Sequence, residues 1–461
     1  MWLPLSIVVA SMMPREKALV VIFFGGTLFL PERLFFDFPV VPPIEKVSIS
    51  GLSALVACWI MSARPGEDRR IPFATKAFGG AMVVGAICTA LTNGDPVRFG
   101  IVKLPSMGLY DGVSLAIGFV MRIVLPYFLG QVLIKKPEHL KTLLVGMIVA
   151  SLIYAPLVLF ETRMSPQLNR WVYGFFQHSW RQMIRGDGFR AIVFMAHGLA
   201  VAFFMSQSLI ALAGVGPLKG VRLPLPKFLA VLILIVCVIS CKSMASMIYA
   251  TIAAPVMWIG GRWMQFSLAR VLALLVLAYP FAILYDLVQT DRLVEFAASY
   301  DVDRAQSLGF RFNNEHILLD RASEKFFFGW GGFTRNRIFD PVTGRDLTVV
   351  DGEWILRIGN YGFWNFLTFF GALLLPIFRA HKACKFADPQ DQRVLATMAM
   401  LLALSGVDLL PNSLFQVLPL LFAGALQSTS DELIRVGKLR RETKRKGRAA
   451  LSRAALSPGV T

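Results

Sequence analysis

The chain has 461 residues, 56% of them hydrophobic and only 16% charged, with a mean hydropathy of +0.60. Soluble domains run at roughly 45–50% apolar and about 25% charged, so a soluble multidomain enzyme is a poor fit, and a disordered chain, a collagen and a coiled coil are excluded. The apolar residues come in long uncharged blocks and not in alternation, which excludes a membrane β-barrel and predicts an all-α, polytopic transmembrane helical bundle.

In chain order the predicted spans fall at 18–31, 47–62, 74–92, 110–134, 141–160, 191–214, 226–241, 243–260, 266–288, 353–378, 393–409 and 412–427, which makes about twelve. A thirteenth apolar stretch at 2–13 covers roughly 18 Å at about 1.5 Å per residue, against a hydrocarbon core of about 30 Å. It reads as an interfacial or partial span, and it lacks the basic start and small-residue cleavage site of a signal peptide.

The net charge of +18 is unevenly placed. Lys and Arg crowd the connections at 14–17, 63–70, 135–141, 219–227, 261–263 and 379–393, and the tail at 431–461. Strict alternation puts all of these on one side, and the positive-inside bias makes that side cytoplasmic. The tail has no aromatic residue for base stacking, so its expected partner is anionic lipid and not nucleic acid.

Two long polar segments then lie outside, at 161–190 and 289–350. The expected organisation is a bundle at 1–288, an extracytoplasmic loop subdomain at 289–350, C-terminal spans at 351–430 and the basic tail. The first segment carries Arg163, Arg170, Arg181, Arg185 and Arg190 against Glu161 and Asp187. It reads as an amphipathic surface helix over 171–184, as an anion site for a phosphorylated lipid or sugar, or as both together. The second has apolar positions at helical spacing in 296–300 and 317–328, and an exposed-helix pattern at 314–321. Gly329-Trp330-Gly331-Gly332 breaks the helical pattern, and Asp340 to Gly344 is a turn signal. The intramembrane acid Asp408 is expected to pair with an exterior arginine.

The five cysteines imply no disulfide framework, and Cys237 and Cys241, one helical turn apart, read as small core residues. The five histidines show no ligand spacing, so no metal and no cofactor is expected. His197, inside an apolar run, reads as a core residue. P-loop, dinucleotide-binding and hydrolase motifs are absent, which disfavours ATP-driven transport.

Four stretches carry a resemblance: Arg311 to Arg321 (RFNNEHILLDR), Phe328-Gly329-Trp330-Gly331, Asp351-Gly352-Glu353-Trp354-Ile355 and Gly359-Asn360-Tyr361-Gly362. Together they resemble the bacterial O-antigen ligase and polysaccharide polymerase superfamily, inner-membrane glycosyltransferases that use polyprenyl-pyrophosphate-linked glycans. The family pattern is an arginine before a helix, a glycine turn, and a polar residue opening a span eleven positions before a glycine. Arg311, Gly329 with Gly331, Asp351 and Gly362 stand in those places. Glu161 to Leu168, Arg185-Gly-Asp-Gly188-Phe-Arg190 and Cys241-Lys242-Ser243 look similar to a polymerase branch. Ligases of the family commonly carry a histidine where this chain has Asp351, so polymerase and ligase both stay open.

The resemblance implies metal-independent transfer from a polyprenyl-pyrophosphate-linked donor to a glycan or lipid acceptor. That chemistry needs cations for the leaving pyrophosphate and a base for the acceptor hydroxyl. Arg311 is the first candidate, with Arg185, Arg190, Lys242, Arg335 and Arg337 as pyrophosphate or glycan ligands. Asp351 is the expected base, with Glu353 and Glu315 behind it. Trp330 and Trp354 are candidates to stack on sugar rings. Three plainer roles compete: an Arg311–Glu315 ion pair at helical spacing, an Asp351 helix cap, and snorkelling by Lys242. The mechanism further expects Arg190 to share one outward cavity with Arg311 and Asp351. A secondary transporter and a non-catalytic component of an envelope assembly system are the alternatives to an enzyme.

Overall fold

A computed structural model describes the chain apart from residues 39–40, 63–69, 186–187, 300–301, 415–416 and 456–461. The basic connection at 63–69, the Gly186-Asp187 pair and the end of the tail therefore lie outside the described residues.

The helices are α1 (Trp2–Met12), α2 (Arg15–Phe29), α3 (Lys46–Ala54), α4 (Phe73–Leu91), α5 (Leu109–Phe119), α6 (Leu125–Leu133), α7 (Pro137–Met164), α8 (Leu168–Tyr173) and α9 (Gly198–Val215). There follow α10 (Lys227–Ser240), α11 (Met244–Ile259), α12 (Arg262–Leu284), α13 (Thr290–Ala298), α14 (Val302–Ser323), α15 (Glu353–Ala383), α16 (Pro389–Asp408) and α17 (Leu418–Ala455). Wider π-type turns at Leu55–Met61 and Val120–Val124 extend α3 and join α5 to α6. Three two-stranded ribbons are the only sheet among the described residues.

The fold is thus all-α. Six of its helices are long and apolar enough to cross a membrane: Phe73–Leu91, Leu109–Leu133, Pro137–Met164, Gly198–Val215, Arg262–Leu284 and Glu353–Phe386. Four shorter apolar helices, Trp2–Met12, Lys46–Met61, Lys227–Ser240 and Met244–Ile259, pack among them. Their faces divide by burial. α9 is buried nearly all round at the centre, whereas Phe228, Leu232, Leu274, Leu275 and Trp258 leave an apolar outer face on α10, α11 and α12. An outward apolar face on helices, whose backbone groups mostly bond one another, suits hydrocarbon as solvent.

Hydrogen bonds tie the basic connections to one another. Arg393 donates to the carbonyls of Gly214, Met257 and Trp258, Arg262 to Gln392, and Lys227 to the Gly216 carbonyl. Arg379 pairs with Asp431, and His139 lies 3.7 Å from Glu16. Apart from Lys227–Gly216, which lies within one connection, these contacts join connections or the helix ends beside them that strict alternation puts on the same side.

Several predicted elements differ. The run at 191–214 becomes helical only at Gly198, because Glu161 draws the preceding segment out of helix: its carboxylate accepts the backbone N–H groups of Leu168, Ile192 and Val193 at 2.7–2.9 Å. His197 is no core residue; its Nδ1 accepts the Leu199 N–H and caps α9. The amphipathic helix over 171–184 does not form, since α8 stops at Tyr173 with Gly174 in the left-handed region at φ 82°. The helix at 314–321 exists within α14 but is not exposed, for Asn314, Glu315, Leu318 and Leu319 are all buried. The tail continues α17 as helix to Ala455.

Candidate functional site

The site is assembled by a joint between the loop after α14 and the middle of α15. At Gly362 the α15 backbone leaves the helix, with φ 75° and ψ 175°. The break strands the carbonyls of Gly359 and Asn360 and the N–H groups of Phe363 and Trp364, which would bond each other in an unbroken helix. The loop supplies all four partners. Trp330 N–H donates to the Gly359 carbonyl at 2.8 Å and Gly331 N–H to the Asn360 carbonyl at 2.7 Å. Phe363 and Trp364 N–H donate to the carbonyls of Phe326 and Phe327 at 2.7 and 3.2 Å. The backbones are too close for side chains: a Cβ at Gly362 would lie 2.1 Å from the Phe327 oxygen, and one at Gly329 2.5 Å from the Asn360 carbonyl carbon. Here glycine is required for close approach as well as for its positive φ.

With the loop locked, α14 meets the start of α15. Asn314 Oδ1 accepts the Val349 N–H at 2.8 Å, which holds the strand of chain leading into Asp351. The Glu353 N–H donates to the Leu409 carbonyl at 3.0 Å, and a Cβ at Gly352 would strike the Leu410 oxygen, so this turn is threaded against the end of α16. The result brings Arg311 Nε to 3.6 Å from Asp351 Oδ2, with both side chains more than a third exposed, and Arg311 Nη1 to 3.5 Å from the Pro411 carbonyl. Asp351 makes no helix cap; Gly352 holds the cap position and no side chain bonds there. The Arg311–Glu315 ion pair expected from helical spacing also does not form.

Glu315 lies one turn further along α14 and is buried. Its Oε2 accepts the Tyr279 hydroxyl at 3.0 Å, and Tyr279 packs edge-on against the buried Trp354 ring. Burial is the main cause that pushes the Glu315 carboxyl up to about 7; the Tyr279 bond and Arg311 oppose the shift, and Asp351 adds to it. An open arginine–aspartate pair thus stands next to a buried acid that changes charge near neutral pH.

A second cluster forms at the ribbon Ile184–Arg185 and Gly188–Phe189. Lys242, in the α10–α11 turn at φ 51°, donates from Nζ to the Arg185 carbonyl at 2.8 Å, and Arg190 Nη2 donates to the Lys242 carbonyl at 2.9 Å. Arg185, Arg190 and Lys242 are therefore neighbours although 57 positions of sequence separate the first from the last. Among the described residues no hydrogen bond or ion pair joins this cluster directly to Arg311 or Asp351. The C-terminal end of α16 carries a further acid, Asp408. There Asp408 accepts from Asn412 Nδ2 at 3.2 Å and from the Tyr249 hydroxyl, not from an arginine.

The remaining candidates have structural employment. Arg335 is 1% exposed and spends its guanidinium on the carbonyls of Trp330, Pro105 and Asp95 and on Asn93 Oδ1. Trp330 is covered by the Arg321 guanidinium 3.4 Å from its ring, and its indole N–H donates to the Arg321 carbonyl. It offers no open face to a sugar, and neither does the fully buried Trp354. Arg337 pairs with Asp346 at 2.6 Å. Glu353 is sealed in α15, 2.7 Å from Arg357, which stacks 3.4 Å over the Phe369 ring. Arg335, Trp330, Trp354 and Glu353 are buried, and Arg335 and Glu353 spend their polar atoms inside the protein, whereas Arg337 is partly exposed. No group of three or more His, Cys, Asp or Glu suited to a metal occurs among the described residues.

Tyr279, Asn314 and the caps at His197 and Gly352 were not legible as site parts. A hydroxyl one residue before Pro280 in an apolar run was the one available signal for Tyr279. No protein-family model matches this sequence, and no curated protein matches it.

Proposed function

We propose that the chain is a multi-pass membrane glycosyltransferase that transfers or polymerises a polyprenyl-pyrophosphate-linked glycan on the periplasmic face of a bacterial inner membrane. The observation that carries this reading is the open Arg311–Asp351 pair beside the buried Glu315, assembled by the glycines of the resemblance. In this reading about twelve segments cross the membrane, the basic connections and tail face the cytoplasm, and both polar segments lie outside.

The proposed reaction moves one glycosyl bond. The acceptor hydroxyl oxygen attacks the anomeric carbon of the donor, the bond from that carbon to the pyrophosphate oxygen breaks, and the hydroxyl proton passes to a carboxylate. Asp351 is the exposed carboxylate within reach of solvent, and Arg311 steadies charge as it develops. Glu315, neutral below about pH 7, spares Arg311 a second permanent partner. Arg185, Arg190 and Lys242 are the cations proposed to cradle the donor's pyrophosphate as it leaves, with Asp351 taking the proton from the acceptor on the other side of the same anomeric carbon.

Deletion of the gene, with complementation by Arg311→Ala and Asp351→Asn, tests the reading on the cell's envelope polysaccharide. Single attached units without long chains indicate a polymerase, and accumulated full-length lipid-linked polymer indicates a ligase. Unchanged polysaccharide with both variants rejects the catalytic reading in favour of an assembly component.

A further inference from the structure

Beside the cradle stand two groups that the proposed function does not use: His197, which faces Arg185 and Arg190, and His178, which meets His197. Their rings meet edge-on with centroids 4.5 Å apart. Each Nδ1 is occupied as an acceptor: His197 takes the Leu199 N–H at 3.0 Å and His178 the Ser179 N–H at 2.7 Å. Nδ1 of a neutral imidazole that accepts a proton donor carries no hydrogen, so both rings are fixed in the tautomer with hydrogen on Nε2. For His197 the neighbour of that hydrogen is Gln182 Oε1 at 3.4 Å, near the long limit for a hydrogen bond.

Besides Gln182, the charged neighbours of these rings among the described residues are cations. Arg33 acts on His178, and Arg185 and Arg190 act on His197. Burial first, then His178 and the two arginines, pushes His197 down to about 4. Arg190 is 6% exposed, and its Nε finds no acceptor. Its own charge is weakened by burial first and by Arg185 next, to about 10. Among the described residues no carboxylate pairs with His178, His197, Arg185, Arg190 or Lys242. A buried guanidinium N–H without an acceptor, such as Arg190 Nε, is costly, and so is a gathering of positive charge with no carboxylate against it among the described residues.

We infer that His178 and His197 are ligand-binding residues of this cradle, each donating from Nε2 to a phosphate-class anion with the charge of a pyrophosphate. The inference rests on the reading that Arg185, Arg190 and Lys242 hold such an anion. The shared chemistry is the pyrophosphate group, whether free or on a polyprenyl lipid.

The test uses full-length protein in lipid nanodiscs, titrated calorimetrically with inorganic pyrophosphate in one arm and farnesyl pyrophosphate in the other. The double variant H178N/H197N is compared with wild type, because an asparagine oxygen can replace each Nδ1 acceptor and keep the α9 cap while losing the Nε2 donor. The expected result is affinity at least tenfold weaker in the variant, with the melting temperature of the ligand-free protein unchanged. A gain confined to the farnesyl arm in wild type identifies the lipid-linked source; equal binding in both arms identifies free pyrophosphate. Equal affinity of variant and wild type overturns the role of the histidines alone. No binding of either probe to wild type overturns the cradle reading together with it. As a second measurement, wild-type protein is treated with diethyl pyrocarbonate and the modified histidines are read by mass spectrometry. Pyrophosphate is expected to protect His178 and His197, and modification at undiminished rate counts against the inference without reference to any variant.

Discussion

Two acid–arginine pairs lie within a few residues of each other around the start of α15, and they behave as opposites. Glu353 and Arg357 are 2.7 Å apart, and each side chain is no more than 5% exposed. Arg311 and Asp351 are 3.6 Å apart and 40% and 37% exposed. The sealed pair can neither release a charge nor admit a substrate, so its contribution is to the fold. The open pair holds each partner loosely in water, where an ion pair contributes only about 0–1 kcal/mol, and both groups stay available to a ligand. Proximity in sequence and identity of charge say little about role; access to solvent separates the two.

The comparison can be broken from either side. The largest effect is expected at the joint that registers both pairs: Gly362→Ala forces a Cβ against the Phe327 oxygen and strains a positive φ, and is expected to abolish properly folded protein by size-exclusion profile and limited proteolysis. Next comes the sealed pair. Glu353→Ala removes the only carboxylate paired with the buried Arg357 among the described residues, leaving its charge to Asn365 and the Phe369 ring, and is expected to cost roughly 3–5 kcal/mol, seen as a fall in melting temperature. A melting temperature like that of wild type would show that the pair is not sealed.

Third, Arg311→Ala and Asp351→Asn are expected to change stability by less than about 1 kcal/mol while lowering glycan transfer by about a hundredfold or more. Loss of fold in place of loss of transfer would make the open pair structural as well. Fourth, Glu315 gives a pH signature. Its carboxyl titrates near 7 in the folded chain and near 4.5 otherwise, so between these values the folded state binds the extra proton. Stability is therefore highest below about pH 4.5, falls as pH rises toward about 7, and is flat above, with a total of about 3 kcal/mol from this group. Glu315→Gln is expected to remove that slope in melting curves taken across the window. The smallest effect is expected from Arg337→Ala, a half-exposed pair with Asp346, at well under about 1 kcal/mol.

The two polar segments repeat the lesson on a larger scale. Both are rich in arginine, but Arg335 is consumed by backbone carbonyls, whereas Arg190 keeps an Nε without an acceptor. A formal charge count treats them alike. Only the number of acceptors within reach of each guanidinium tells them apart.

The all-α class, the apolar helices and the grouping of the basic connections were legible in the sequence, because they follow from local hydropathy and from charges at helix ends. The glycines at 329, 331 and 362 were legible as a pattern. Their purpose was not, since two backbones from distant segments must meet before the missing side chains acquire a reason. Tertiary structure alone decided that Arg311 pairs with Asp351 and not with Glu315, that Glu315 is buried against Tyr279, and that Lys242 joins Arg185 and Arg190. These depend on contacts between helices far apart in the chain, and no periodicity encodes them. Length and composition determined what kind of solvent this protein is built for; packing determined which of its many charges remain free to act.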